Sequence, residues 1–290
     1  MKILIFGAKG LIGRGLFLQF LDLGFEVVGT LRDINDREFF NSQTQDKLKI
    51  TGDISCNQEV IELIEEIKPE VIINCLGITK HVSEIFKPNQ LIEINSQFPH
   101  FLSHLSSKFS FRLINFSTDC IFSGLKGDYQ EDDLSDAKDL YGKSKYLGEI
   151  SDNERVLTLR TSFVGHSAHS KLGLIDWFLS STDQVRGFSK AIYTGLTTKE
   201  IGNFLVQYIF ENTELNGLYN LSGPKISKFN LLTLVKEIYN LDIEILIDSK
   251  ISIDRSLNSS KIKLATGYEP PSWESQILEL NQVYSEENRI

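Results

Sequence analysis

A glycine-rich turn between two apolar segments opens the chain and limits the folds it can adopt. Residues 2–6 form a short apolar run of the kind found in buried parallel strands, and Gly7, Gly10 and Gly13 follow as G-x-x-G-x-x-G. Apolar residues with a helical period come next, and residues 25–29 form a second strand pattern. Strand, glycine turn, helix and strand in this order predict a βαβ unit whose helix N-terminus faces a dinucleotide pyrophosphate.

Strand and helix patterns continue to alternate along the first 160 residues. The alternation predicts a parallel sheet with helices on both faces, an α/β doubly wound fold of the Rossmann type. The predicted strands are 48–51, 71–76, 112–117 and 156–160, and the predicted helices are 57–67, 89–107 and one around Tyr141.

The pattern changes after residue 165, and the 290-residue chain is long enough for a dominant domain with a smaller lobe. We predict a dinucleotide-binding domain at 1–165 that regains 190–222, and a smaller α/β substrate lobe from 166–189 and 223–290. In this region the predicted helices are 198–211, 228–241 and 273–284, and the predicted strands are 217–222 and 243–248.

A tyrosine and a lysine lie four residues apart in the predicted helix that follows the fifth strand. On a helix, Tyr141 and Lys145 project from the same face. A free tyrosine titrates near ~10, and a neighbouring cation is expected to lower that pKa. The hydroxyl of Thr118, brought from another segment, could hold a substrate carbonyl. A proton donor, a cation and a positioning group together favour carbonyl reduction or alcohol oxidation.

The residue that follows the second strand indicates the cofactor. An acidic residue there would bind a ribose hydroxyl, whereas an arginine accommodates a 2′-phosphate. Arg32 precedes Asp33, which favours NADPH and leaves NADH as the alternative. Asp53, Gly77 and Thr118 each follow a predicted strand, so we expect them to converge on one crevice at the carboxyl edge of the sheet.

Several stretches together resemble the extended short-chain dehydrogenase/reductase family, and in particular the dTDP-4-dehydrorhamnose reductases and related nucleotide-sugar reductases. The glycine fingerprint and the tyrosine–lysine pair are shared across that family. The narrower similarity is Ser-Thr-Asp-x-x-Phe-x-Gly at 117–124, followed by Tyr-Gly-x-Ser-Lys-x-x-Gly-Glu at 141–149 and Arg-Thr-Ser-Phe-Val at 160–164.

This resemblance implies a role for each matching residue. Tyr141 would be the general acid, Lys145 would lower its pKa and bind the nicotinamide ribose, and Thr118 would orient the carbonyl. Asn95 would lie near the active site. Besides Tyr141 and Lys145, the implied cofactor-binding residues are Gly7, Lys9, Gly10, Leu11, Ile12, Arg32, Asp53, Ile54, Leu76 and Gly77. The implied substrate-binding residues are Thr79, Cys120, Phe163 and Arg255, of which Arg255 could pair with a diphosphate.

The implied activity is NAD(P)H-dependent reduction of a nucleotide-linked keto-deoxysugar for surface polysaccharide biosynthesis. Cys120, Phe163, Gly165 and Ala137 depart from residues usual in the rhamnose pathway, so the sugar itself stays open. One alternative is an epimerase or dehydratase on the same fold, although dehydratases typically carry an acidic pair where Cys120 follows an aspartate. Another alternative is a regulatory subunit that binds the cofactor without catalysis.

Composition narrows the partners and the compartment. The net charge of −9 argues against nucleic-acid binding. No apolar run reaches the ~18 residues that would span a bilayer, and no signal peptide is visible, so we expect a cytoplasmic protein that does not bind membranes. A nucleotide-sugar is the expected partner, and the chain could form a homodimer. No metal is expected, because the cysteines and histidines lack the spacing of metal ligands. These residues are Cys56, Cys75, Cys120, His81, His100, His104, His166 and His169.

Overall fold

The computed structural model describes residues 1–54, 57–80, 83–167 and 173–287. Cys56, His81 and His169 lie outside the described residues. The strands are β1 (Lys2–Phe6), β2 (Glu26–Leu31), β3 (Leu48–Ile50), β4 (Val71–Asn74), β5 (Arg112–Ser117), β6 (Val156–Arg160), β7 (Phe163–Val164), β8 (Gln184–Tyr193), β9 (Leu196–Thr197), β10 (Gly217–Asn220), β11 (Ile226–Ser227) and β12 (Glu244–Asp254).

Helices connect most of these strands. The α-helices are α1 (Leu11–Asp22), α2 (Gln58–Ile67), α3 (Pro88–Ile92), α4 (Phe98–Phe109), α5 (Leu140–Leu147), α6 (Leu174–Leu179), α7 (Thr198–Phe204), α8 (Lys228–Ile238), α9 (Ser260–Thr266) and α10 (Trp273–Glu287). Short 3₁₀ helices cover Ile34–Phe39, Gln45–Lys47 and Asp119–Ile121, and π-helical turns cover Glu93–Gln97 and Leu205–Ile209.

The central sheet has seven parallel strands in the order β10-β6-β5-β4-β1-β2-β3. This order confirms the predicted doubly wound Rossmann-type fold. The chain runs outward from β1 in one direction through β2 and β3, and in the other through β4, β5 and β6. The order therefore reverses between β1 and β4, and open α/β sheets bind ligands in the crevice beyond the carboxyl ends of such strands.

Both faces of the sheet are covered, because successive side chains of a strand point to opposite sides. In β1, Ile3 and Ile5 pack in the core cluster that contains α1 and α7 residues. Phe6 packs on the other face in the cluster that contains α2 and α4 residues, and its ring meets Phe98 edge-on at 5.3 Å between centroids. Burying each such side chain stabilises the fold by about 1.5–3 kcal/mol.

A second sheet of three strands, in the order β11-β8-β12, forms the smaller lobe with α6, α8 and α10. Strand β8 was not predicted from the sequence, and β12 continues beyond its predicted end at residue 248 to Asp254, across a register shift after Asp248. Most residues of β12 are solvent-exposed and β8 is buried on one face only, and the charged residues of both strands interrupt the apolar alternation that marks a half-buried strand.

The chain returns to the central sheet through β10, which pairs in parallel with β6. The predicted domain boundaries at 165, 190 and 222 stay a prediction. Among the described residues, no helix has the length and apolar content needed to cross a membrane.

Candidate active site

The glycine turn between β1 and α1 has a backbone geometry that only residues without a side chain can adopt. Gly7 has a φ of 84°, in the left-handed region that favours glycine. A Cβ on Gly13 would overlap the Gly7 carbonyl oxygen. Thr30 in β2 anchors the turn, because its Oγ1 accepts a hydrogen bond from the Gly7 N–H at 3.0 Å. The turn therefore packs closely against the sheet and leaves its outer side open.

The N-terminus of α1 is suited to an anion. Its N-cap, Gly10, supplies no side chain to accept from the first N–H groups, and the first turn contains no acidic residue. The unpaired N–H groups and the positive end of the helix dipole therefore remain available to a phosphate. A cofactor pyrophosphate fits this position.

A cavity of about 700 Å³ extends from this turn across the switch point between β1 and β4. Its size lies within the range usual for ligand pockets, ~300–1,000 Å³. Of the predicted cofactor residues, those lining it are Gly7, Lys9, Gly10, Arg32, Asp53, Ile54, Leu76 and Gly77. Leu11 and Ile12 lie in the first turn of α1. The Ile12 side chain is 4% exposed and packs in the core, so only the backbone of Ile12 faces the glycine-rich turn.

Charged side chains surround the end of the cavity formed by β2 and the segment after β3. Lys9 pairs with Asp36 at 2.6 Å, and the more exposed Arg32 lies 3.8 Å from Asp53. The Asp33 carboxylate accepts from the Asn35 N–H at 2.8 Å and caps a 3₁₀ helix. Two cations thus stand at the predicted 2′-phosphate position, each already beside a carboxylate.

Helix α5 brings the predicted acid to the carboxyl end of β5. Its N-cap, Asp139, accepts from the Gly142 N–H at 2.8 Å. A Cβ on Gly142 would lie 2.5 Å from the Cys120 carbonyl oxygen, so the glycine allows α5 to approach the 118–120 segment closely. This close approach brings the Tyr141 phenol near the Thr118 side chain, which influences its pKa.

Burial raises the pKa of the Tyr141 phenol well above its usual value. Cys120 raises it further, and the interaction with Thr118 opposes the shift. Burial therefore decides the net direction of this shift, and the lowering expected from the Lys145 ammonium stays a prediction. In the protein alone, Tyr141 keeps its proton at neutral pH.

The Lys145 ammonium lies one helical turn further along α5 and beside the cavity wall. The side chain is 8% exposed, and its Nζ donates to the Phe116 carbonyl oxygen at 2.6 Å. A Cβ on Gly77 would be 4.0 Å from this Nζ. Burial lowers the pKa of Lys145 to about 8, against the influence of Glu149 and Cys75. Lys145 therefore links the acid-bearing helix to the cavity.

Asn95 connects the loop after β4 to α5. It is fully buried in the π-helical turn Glu93–Gln97, and its Oδ1 accepts from the Ile78 N–H at 2.9 Å. Its Nδ2 donates to the Ile78 carbonyl and to Ser144 Oγ, both at 3.1 Å. The side chain thus holds the cavity wall against the helix of Tyr141, and π-helical turns are frequent at functional sites.

A buried ion pair supports the floor of the site. Arg160 at the end of β6 donates to both carboxylate oxygens of Glu149 at 2.8 Å, and Ser117 Oγ donates to the same carboxylate at 2.6 Å. The side chains of Arg160 and Glu149 are 2% and 6% exposed. Both residues lie in stretches that carried the family resemblance, but the sequence did not reveal that they pair.

Two of the predicted substrate residues lie on the same side of the site as Thr118. Burial, reinforced by Asp119, raises the pKa of the Cys120 thiol to about 12, against a lowering by Arg255. Arg255, just after β12, donates its Nε–H to the Phe122 carbonyl at 2.8 Å. Tertiary structure thus brings a cation from the smaller lobe to the carboxyl end of β5.

The other two predicted substrate residues have weaker support. Thr79 is exposed in the loop after β4. Phe163, in β7, is half-buried and packs against the main core. Sequence reasoning missed Lys228, whose Nζ lies 4.9 Å from the Tyr193 ring centroid and which interacts electrostatically with Asp119 and Cys120.

In the part of the chain that the structure describes, no three histidine, cysteine or acidic side chains are grouped to hold a metal ion. His100 instead contacts the Leu147 carbonyl through Nε2 at 2.8 Å. His166 lies between Asp176, at 3.1 Å from Nδ1, and the Tyr239 hydroxyl, at 2.7 Å from Nε2.

A Rossmann-type sheet with a glycine turn at its switch point, and a threonine–tyrosine–lysine set beside it, defines the extended short-chain dehydrogenase/reductase class. Within this class, the chain belongs to the family described as RmlD substrate binding domain, whose model matches residues 1–285.

Individual relatives agree with this assignment. The chain is 25% identical over 254 residues to spore coat polysaccharide biosynthesis protein SpsK of Bacillus subtilis, covering 84% of this chain and 82% of that protein. It is 24% identical to a dTDP-4-dehydrorhamnose reductase of Aggregatibacter actinomycetemcomitans, covering 94% and 96%. The crystal structure of dTDP-4-dehydrorhamnose reductase from Bacillus anthracis in complex with NADP superposes with a TM-score of 0.76 at 19% identity, covering 96% and 98%.

Proposed function

We propose that the protein is an NADPH-dependent reductase of a nucleotide-linked keto-deoxysugar, with NADH as the alternative cofactor, and that it serves surface polysaccharide biosynthesis. The observation that carries the proposal is the contact between the Tyr141 and Thr118 side chains, with the Lys145 ammonium beside Gly77 in the cavity wall. The names of the reductase and spore coat relatives support the substrate class.

The cofactor would lie along the cavity with its pyrophosphate at the glycine turn and the N-terminus of α1. When bound, the reduced nicotinamide supplies the hydride. Gly7 and Gly10 leave room for the pyrophosphate, and Lys9 and Arg32 would face the 2′-phosphate. Lys145, whose Nζ lies beside Gly77, would donate to the nicotinamide ribose.

The protein's own residues would position the substrate and supply the proton. Thr118 holds the carbonyl oxygen near the Tyr141 phenol, and Tyr141 donates its proton to that oxygen as negative charge develops there. Because burial raises the pKa of Tyr141, the group is protonated at neutral pH, as a general acid must be before reduction. The positively charged Lys145, about one turn further along the same helix face, stabilises the resulting phenolate.

The residue at position 120 favours reduction over dehydration. Burial raises the pKa of the Cys120 thiol to about 12, so it carries no useful acidity at neutral pH. With Asp119 as the neighbouring carboxylate, the site lacks the acidic pair expected of a dehydratase. Net consumption of NADPH with a keto-sugar nucleotide would separate a reductase from an epimerase or dehydratase, which return the hydride.

Replacing Tyr141 by Phe tests the proposal. We expect turnover to fall by at least ~10²-fold, since general acid–base catalysis contributes ~10²–10⁴-fold, while NADPH affinity stays near that of the wild type. NADPH oxidation and fluorescence titration measure the two quantities, and Tyr146→Phe on the exposed side of α5 is the matched control. Near-normal turnover in Tyr141→Phe would remove the residue from this role. Wild-type protein that binds NADPH, reduces no keto-sugar and co-purifies stoichiometrically with another enzyme would instead indicate a regulatory subunit.

We also propose that the protein acts in the cytoplasm, as the free thiols of Cys75 and Cys120 suggest, and that it forms a homodimer. Light scattering of the purified protein measures the oligomeric state directly.

A further inference from the structure

The three-stranded sheet of the smaller lobe places two cations on either side of the end of β8. In β8, Ile192 pairs with Ser227 of β11 and with Asp254 of β12. Lys228 and Arg255 are the residues that follow these two partners. The register therefore brings together two basic side chains that are 27 positions apart in the sequence.

Neither cation has a carboxylate partner among the residues that the structure describes. Lys228 is half-buried, and its Nζ lies 4.9 Å from the ring centroid of Tyr193, which is 6% exposed. Arg255 gives its Nε–H to the Phe122 carbonyl. By contrast, the nearby exposed Lys225 pairs with Asp128 at 3.5 Å.

The two cations lie near the segment that carries Asp119 and Cys120, next to Tyr141. Lys228 interacts electrostatically with Asp119, Cys120 and Arg255, and Cys120 in turn interacts with Tyr141. Asp119 is buried and already accepts from the Thr118 hydroxyl at 3.3 Å. A second carboxylate, Asp139, interacts with Arg255 but already pairs with Lys80 at 2.8 Å, so neither Lys228 nor Arg255 has a carboxylate of its own.

Removing an ammonium from water is unfavourable unless the charge is compensated. Burial lowers the pKa of Lys228, in agreement with incomplete compensation, and the repulsion from Arg255 adds to the effect. The Tyr193 ring holds the ammonium in place by a cation–π contact but supplies no negative charge. An anionic ligand would complete the site.

We propose that Lys228, supported on Tyr193 and flanked by Arg255, forms an anion-binding subsite for the substrate. This inference rests on the proposed function and names a residue that would select the substrate. The group it binds is an anionic oxygen, either a phosphate oxygen of a nucleoside diphosphate or a carboxylate on the sugar ring.

Calorimetric titration of the NADPH-loaded protein with UDP-glucose, dTDP-glucose and UDP-glucuronate tests the inference. We expect Lys228→Met to weaken binding by roughly ten- to a hundredfold, as for loss of one charge-assisted hydrogen bond. Lys228→Arg keeps the charge and should recover most of the affinity. Lys225→Met removes a nearby cation outside the pocket and should bind as the wild type does.

The two sources of the anion give different results. Loss of affinity for all three ligands identifies the diphosphate, and loss confined to UDP-glucuronate identifies a sugar carboxylate. Unchanged affinity in Lys228→Met, with a wild type that binds, overturns this inference alone. A wild type that binds NADPH but none of the sugar nucleotides contradicts the proposed function as well. A parallel loss of NADPH affinity in Lys228→Met would show a structural role and likewise overturn the subsite.

Discussion

Replacing Lys145 by Met should change how the stability of the protein depends on pH. Burial lowers the pKa of this amine from its usual 10.5 to about 8. The difference of about 2.5 pH units corresponds to about 3 kcal/mol by which the folded state disfavours the charged amine, at ~1.4 kcal/mol per unit. Methionine has a similar length, carries no charge and removes this penalty.

The direction in which stability changes with pH follows from how many protons the folded and unfolded states bind. Between about pH 8 and pH 10.5 the unfolded chain holds a proton on Lys145 that the folded protein has released, so the free energy of unfolding rises with pH. Relative to Lys145→Met, the wild type should gain about 1.4 kcal/mol per pH unit in this window, or about 2 kcal/mol between pH 8 and pH 9.5. Below about pH 7, where both states keep the proton, the difference between the two proteins should be constant.

Urea unfolding of both proteins at half-unit steps from pH 7 to pH 9.5 measures this difference. A matched substitution at the exposed Lys143 on the same helix should run parallel to the wild type. Parallel curves for wild type and Lys145→Met across the whole range would refute the argument that burial shifts this amine. The variant should also lose turnover, since the proposed phenolate would no longer have its cation.

Two further predictions concern ion pairs. Arg160→Met should lower the free energy of unfolding by about 3–5 kcal/mol, because it leaves the Glu149 carboxylate buried and unpaired. The double variant Arg160→Met with Glu149→Leu should recover much of that loss. Urea denaturation of the single and double variants measures these effects, and additive effects would contradict the pairing. Asp36→Asn should release Lys9 to bind a 2′-phosphate. In fluorescence titrations, the preference for NADPH over NADH should rise roughly three- to tenfold. An unchanged ratio of the two affinities would show that Lys9 does not bind that phosphate.

Much of the fold could be predicted because its signals are local. The strands at 2–6, 112–117 and 156–160 are short segments rich in apolar residues, as buried parallel strands usually are, and the structure has them at those bounds. Strand β8 could not be predicted, since one of its faces is exposed and its partners lie far away in the sequence. β12 continues beyond its predicted end for the same reason.

In the candidate site, too, local features could be predicted from the sequence and features that depend on tertiary contacts could not. The i, i+4 spacing of Tyr141 and Lys145 and the glycine spacing of the turn are properties of single elements, so the sequence displays them. The direction of the Tyr141 pKa shift depends on how completely α5 is buried against the segment that carries Cys120, and no spacing reports that. Lys228 gave no signal, because its neighbours belong to other elements.

The order of apolar runs and glycines along this chain was therefore enough to establish a dinucleotide-type βαβ sheet and the identities of the groups that could transfer a proton. Packing decided which of those groups are charged. Desolvation depends on every atom within several ångströms of a side chain, and in this protein those atoms come from segments that only the folded chain brings together. The same cause placed Lys228 and Arg255 next to the two strands that flank the end of β8.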